Sequence, residues 1–157
     1  MVKLQVINFH SFPLDKVTNK EEETGNENLF IYIGRQSSIW QVRWKWSNAD
    51  VKDYSILGNP FLIRPRVMSA RKAVDKYSRY FLEIMSNRDN PLKAEIDNLY
   101  VYLSTLRKTN VYFICFCNPR ICHGDVIVNY AINYVLNDKK GEGFIWSPKN
   151  KTLEWKD

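Results

Sequence analysis

Cysteine and histidine crowd into one short stretch of this chain, Cys115-Phe116-Cys117-Asn118-Pro119-Arg120-Ile121-Cys122-His123-Gly124-Asp125. It holds all three cysteines and one of the two histidines. Such a set offers an acid or base in His123 and Asp125, a thiol nucleophile in Cys122, and an anion cradle at Arg120 and Gly124. A helix N-terminus would lower the pKa of Cys122, but His123 is too close in sequence to orient on it, and His10 is the other histidine. Asp125 has two readings of equal weight: a general base or ribose anchor, and a first-turn acid that complements a helix dipole. Cys115, Cys117, Cys122 and His123 also have the side-chain types of a zinc site. Residues two apart on a strand lie roughly 6.6 Å apart on one side, which one ion tolerates. Adjacent Cys122 and His123 are badly placed to share that ion, and no Cys-x-x-Cys knuckle is present. Neither a metal nor a cofactor is therefore expected, and Cys115 and Cys117 read as small buried hydrophobes.

The elements that must position these groups are a strand and a helix. Residues 111–117 carry no charge and are rich in aromatic and β-branched types, which predicts a buried strand. Asn118-Pro119 stops it, since proline has no N–H for a ladder. From about Gly124 a helix follows, with Ile127, Ala131, Tyr134 and Val135 on one face and Gly141 as terminator. A second apolar strand at 29–33 ends in Gly34-Arg35, where glycine permits a sharp turn or close approach and arginine offers a planar fork to phosphate or carboxylate. If these two strands are parallel neighbours, both loops open onto one crevice at the carboxyl ends of the sheet.

Around them, residues 2–9 alternate as a short strand, and 15–28 are polar enough for an exposed, mobile loop. Residues 38–46 place Trp40, Val42, Trp44 and Trp46 alternately with Gln41, Arg43 and Lys45, which predicts a half-buried strand. The same residues could instead stack on nucleobases. Leu57-Gly58-Asn59-Pro60-Phe61 is a turn by composition. Helices are predicted from about Arg66, with Val67, Ala70, Val74, Tyr77, Phe81 and Ile84 inward, and from Pro91, with Leu92, Ile96, Leu99, Leu103 and Leu106 inward. The tail, with Phe144-Ile145-Trp146 and Leu153-Glu154-Trp155, forms a hairpin or edge strand. The fold class is α/β: a small, Rossmann-like three-layer fold with a partly parallel central sheet plus an edge hairpin, in one domain of 157 residues.

No apolar run is long enough to span a bilayer, and the N-terminal residues do not form a signal peptide, so no membrane partner is expected. Three cysteines confined to one loop are no disulfide framework, which makes a reducing cytoplasm the expected compartment. A net charge of +6 favours polyanionic partners, although the basic residues are spread along the chain, as simple solubility would also require.

Three signatures together, Tyr32-Ile33-Gly34-Arg35, Leu57-Gly58-Asn59-Pro60-Phe61 and Cys115-x-Cys117-x-Pro119-x-x-Cys122-His123-Gly124-Asp125, resemble the family named domain of unknown function 4326 over roughly residues 29–136. That family is common in bacteriophages and bacteria, and its members tend to carry an arginine before a helix with a tyrosine midway, which Arg71 and Tyr77 supply. Here the stretch 36–56 separates the first two signatures further than is usual in the family. The Cys-His loop after a strand is also similar to Rossmann-like families thought to handle nucleotide-derived molecules. The family name gives no reaction, but the loop residues and that fold analogy lead to the expectation of a crevice that binds a nucleotide- or nucleoside-derived ligand, with processing of it a further reading. Tyr32, Gly34, Arg35, Gly58, Asn59, Arg120 and Gly124 would bind it, and His123, Asp125 and Cys122 would stand nearest the chemistry. Cleavage or transfer at an N-glycosidic bond is the expected reaction. The alternative is a non-catalytic nucleic-acid-binding or zinc-binding module. Oligomeric state is not legible.

Overall fold

A computed structural model describes residues 2–13, 17–61, 68–116, 122–138, 144–147, 149–150 and 152–155. Cys117, the Asn118-Pro119 break, Arg120, the helix start expected at Arg66 and the terminator Gly141 lie outside the described residues. In chain order the elements are β1 (Val2–Asn8), β2 (Glu27–Tyr32), α1 (Ile39–Lys45), β3 (Val51–Asp53), α2 (Ala70–Ser86), α3 (Pro91–Thr105), β4 (Thr109–Cys115), α4 (His123–Asp138), β5 (Phe144–Ser147) and β6 (Thr152–Trp155).

The strands form one sheet in the order β3-β2-β4-β1-β6-β5. β3, β2, β4 and β1 are parallel, with Leu29 opposite Val111 and Leu4 opposite Val111 on its other side. β6 and β5 extend the sheet as an antiparallel hairpin, with β6 paired to β1. The small Rossmann-like α/β fold and the edge hairpin are thus as the sequence pattern implied. Alternate side chains of β2 and β4 feed two cores, as strand geometry requires. Ile31, Ile33, Val111, Phe113 and Cys115 pack with α2, α3 and α4, whereas Phe30, Tyr32, Tyr112 and Ile114 pack with Val42 and Trp46 at α1. That arrangement makes three layers, with α1 alone on one face.

Local chemistry explains the helix boundaries. The Ser69 hydroxyl accepts from the Lys72 N–H and starts α2 at Ala70, later than the expected start near Arg66. Asn90 caps α3 by accepting from Leu92 N–H, with Pro91 in the first helical position. Of the polar segment, residues 17–28 are described; most are exposed, yet Val17 is buried, Asn28 Nδ2 donates to Thr18 O, and Asn110 Nδ2 donates to Glu21 Oε1. The three-residue strand β3 was too short for a periodic signal to reveal.

The tryptophan-rich stretch is a helix, preceded by a 3-10 turn at Gln36–Ser38, and the strand expectation is overturned. Both periods fit seven residues, because Val42 and Trp46 are four apart, as are Trp40 and Trp44. The core decided between them. Val42 and Trp46 enter the aromatic cluster of Phe9, Phe12 and Phe30, which leaves Trp40 and Trp44 64% and 79% exposed. A strand would put Trp44 and Trp46 on the same side. Trp46→Ala should therefore cost roughly 3–5 kcal/mol in urea unfolding, and Trp44→Ala less than about 0.5 kcal/mol. Equal costs would contradict the helix.

Candidate functional site

β2 and β4 are adjacent and parallel, yet the chain leaves them for opposite faces: β2 leads to α1 on one side and β4 to α4 on the other. Such a divergence leaves a crevice at the carboxyl ends of the two strands, where open α/β sheets take ligands. A cavity of about 250 Å³ lies there. Gly34, Arg35 and Ser38 come to it from the end of β2, and Phe116, Cys122 and His123 from the end of β4. Asn59 and Phe61 come from the loop after β3, and Ala70, Ala73 and Val74 from the first turns of α2. The glycine–arginine and cysteine–histidine segments thus meet, as the strand pairing implied.

His123 is the polar centre of this wall. It is the first residue of α4, is buried, and its Nε2 lies 2.6 Å from the carbonyl oxygen of Ile33. A carbonyl only accepts, so Nε2 carries the proton and Nδ1 the lone pair of a neutral ring. Burial lowers the His123 pKa below its ordinary 6.5, with the nearby Arg35 charge adding to that, while the Ile33 bond and Asp125 oppose it. Tyr77 meets the imidazole edge to face at 5.1 Å, and its hydroxyl donates to Leu57 O at 2.7 Å. One α2 side chain therefore holds both the histidine ring and the Leu57–Phe61 loop.

Several of the expected ligand contacts also have structural roles. A Cβ at Gly58 would come within 2.8 Å of Gly34 O, and one at Gly34 within 2.5 Å of the Tyr32 hydroxyl. Gly58 lets the two loops touch, and Gly34 leaves room for the Tyr32 ring. Tyr32 is buried on the α1 side, donates to Arg35 O at 2.5 Å and is pushed up to about 12 by burial, so it supports the Arg35 loop from below. Asn59 Nδ2 donates to Ala73 O and its Oδ1 accepts from Phe61 N–H, which pins the loop on α2. Gly124 abuts Val6, where a Cβ would stand 2.9 Å from Cγ1, and does not line the cavity.

Asp125 accepts from the Cys122 N–H through Oδ2 at 3.1 Å, a third-position acid reaching back to the cap of α4. It too is absent from the cavity wall, and its helix-start role is the one the structure supports. The expected activation of Cys122 is reversed. Its sulfur lies 3.5 Å from that of Cys115, and this contact and burial raise its pKa, so the group stays a thiol despite the helix N-terminus. Arg35 remains as the exposed cation at the rim. Gly58 instead borders a more open groove with Arg35, Gln36 and Asn59. Among the described residues no group of three or more histidine, cysteine or acidic side chains is placed to hold a metal.

Sequence patterns missed Ser38, Phe61, Phe116, Ala70, Ala73 and Val74 as site residues. Phe61 and Phe116 give the wall two phenyl rings, and the alanines leave room at the start of α2. The N-termini of α2 and α4 both reach this cavity, and among the described residues no carboxylate lines it. Donor groups and positive dipole ends therefore dominate, a field that suits an anion.

His123 makes stability depend on pH with a definite sign. Its folded pKa is lowered, so its contribution is whole above the unfolded value of 6.5 and is lost as pH falls from there toward the folded value. The slope is at most about 1.4 kcal/mol per pH unit. Urea unfolding at about pH 7.5 and about pH 5.5 should show a drop that is clearly smaller in His123→Gln. An identical drop in both proteins would contradict the buried neutral imidazole.

Neither a curated relative nor a solved structure matches this chain. A family profile described as Domain of unknown function (DUF4326) matches residues 17–133, a span that starts at the buried Val17 and takes in α1 through the first half of α4. With three quarters of its length inside that span, the chain belongs to the DUF4326 family.

Proposed function

We propose that the crevice binds a nucleotide- or nucleoside-derived ligand. The observation that carries this reading is the composition of one small cavity: two phenyl rings, Phe61 and Phe116, beside Arg35, Ser38, His123 and two helix N-termini. A flat heterocycle gains from aromatic faces, and phosphate or sugar oxygens gain from an arginine fork and helix N–H groups. About 250 Å³ is small beside the roughly 300–1,000 Å³ of drug-sized sites, so one nucleoside or mononucleotide fits the reading better than a dinucleotide.

Within this reading His123 stands nearest the chemistry. Its fixed tautomer keeps the Nδ1 lone pair available at neutral pH, as a general base requires. For hydrolysis of an N-glycosidic bond, His123 would take a proton from water as the oxygen adds to the anomeric carbon. The carbon–nitrogen electron pair would leave with the base, which takes up the proton given back by the His123 imidazolium, directly or through water, so that the ring returns to its neutral form. Asp125 and Cys122 serve this site by building the start of α4. The setting we infer is the reducing cytoplasm of a bacterial or phage-infected cell, which suits a chain whose three cysteines make no disulfide framework. Among the described residues no helix is long and apolar enough to cross a membrane.

A panel of nucleosides, nucleotides and their sugar-modified derivatives tests the proposal. At a concentration near 100 times its Kd, a true ligand raises stability by about 2.7 kcal/mol, visible as a higher melting temperature. Arg35→Ala, at an exposed position, should weaken a phosphorylated ligand about tenfold or more. His123→Ala should abolish base release while leaving binding measurable. If no member of the panel shifts the melting temperature, the proposal fails.

A further inference from the structure

Two large side chains have no role in anything described above. Trp40 and Trp44 project from α1 with 64% and 79% of their surface in solvent. They are one helical turn apart, about 5–6 Å, and so present their rings side by side. Among the described residues neither ring meets another aromatic, whereas Trp46 of the same stretch is packed against Phe9, Phe12 and Phe30. The sequence therefore divides its tryptophans between a core role and a surface role within seven residues.

The place of this pair bears on the crevice. Ser38 lines the cavity and is the residue before α1, so Trp40 follows it by two positions and Trp44 lies one turn further along. One exposed cation accompanies them on α1. Arg43 lies between the tryptophans in sequence, is 59% exposed, and has a long contact of 3.9 Å to Asp53. Lys45 is not available in the same way, since its Nζ donates to Phe9 O at 2.6 Å. Arg35 stands exposed on the cavity wall, and Arg71, Lys72 and Lys76 are exposed on α2, whose Ala70, Ala73 and Val74 line the cavity, with Asp75 the acidic residue among them. This local excess accords with the net charge of +6.

We infer that the nucleotide entering the crevice is part of a single-stranded nucleic acid, whose neighbouring bases stack on Trp40 and Trp44. The inference rests on the nucleotide reading of the cavity and names its substrate class. A cavity that holds one nucleotide must let the rest of a strand leave over its rim, and Ser38 on that wall is followed along α1 by the two exposed indoles and Arg43. Aromatic faces take any base, and basic side chains follow the phosphates, which is the usual construction of single-strand surfaces. A duplex would keep its bases stacked and deny them to the indoles.

The test compares a mononucleotide with single-stranded DNA and RNA oligonucleotides of about 12 residues by fluorescence anisotropy and tryptophan quenching. The strand should bind at least tenfold more tightly than the mononucleotide, and its affinity should fall steeply between about 50 and 200 mM salt. The double variant Trp40→Ala/Trp44→Ala should lose at least tenfold in strand affinity, with the mononucleotide affinity and the melting temperature unchanged. The DNA and RNA arms identify the sugar. Equal affinity for strand and mononucleotide, an unaffected double variant, or preference for duplex would overturn the inference and leave the cavity reading intact. So would a dimer of the parent protein that the double variant loses, which would assign the surface to self-association. Strand binding that depends on the tryptophans without any mononucleotide binding would uphold the surface and sink the cavity reading. Failure of both ligands to bind removes both.

Discussion

A single buried hydrogen bond, from His123 Nε2 to the carbonyl of Ile33, joins the two halves of the site. β2 ends at Tyr32, and although the Ile33 N–H still bonds to Ile114 O of β4, the Ile33 carbonyl lies past the end of the strand. A buried carbonyl must find a donor. Histidine supplies it from the start of α4, and the bond in turn fixes the imidazole as a neutral ring with a known tautomer. The end of one strand is thereby satisfied by the helix that follows its neighbour. Burial of the ring beneath Tyr77 keeps water from competing.

Around that bond the recurring motif residues act chiefly as joinery. Gly58 permits two loops to touch, Gly34 makes room for Tyr32, Tyr77 draws the second loop down through Leu57 O, and Asn59 clips it to α2. Gly124 lets α4 lie close on Val6, and Asp125 closes its first turn. Cys122 and Cys115 fill the space beneath with adjacent thiols. What remains for a ligand is a smaller set: Arg35, Ser38, His123, the two phenylalanines and the start of α2. Substituting the joinery would damage the site by moving its walls, whereas substituting Arg35 changes only its charge.

The fold was legible where hydrophobic runs were long or sharply bounded. β2 and β4 announced themselves as uncharged runs, and their parallel pairing followed from the helices between them. The convergence of Arg35 and His123 was legible for the same reason, since loops after neighbouring parallel strands share an end of the sheet. The tryptophan stretch was not, because a period of two and a period of four fit the same seven residues. Its solution depended on Phe9, Phe12 and Phe30, side chains distant in sequence that make room for Trp46. The α2 contribution was hidden too: Ala70, Ala73 and Val74 continue an apolar helical stripe, and only the topology shows that its first turn overhangs a crevice. Cys122 misled because the helix N-terminus argues for a thiolate, while burial and a second thiol, both tertiary, argue more strongly against it.

Nitrogen-15 NMR of histidine-labelled protein examines the joining bond without reference to any ligand. The exposed His10 serves as an internal reference for the two histidines of the chain. At neutral pH the His123 ring should show a protonated Nε2 and an unprotonated Nδ1, as one persistent tautomer, with its Nε2 proton protected from exchange. A ring that samples both tautomers, exchanges its proton freely, or titrates at the ordinary 6.5 would show that Ile33 and His123 are not held together, and the crevice as described would not exist.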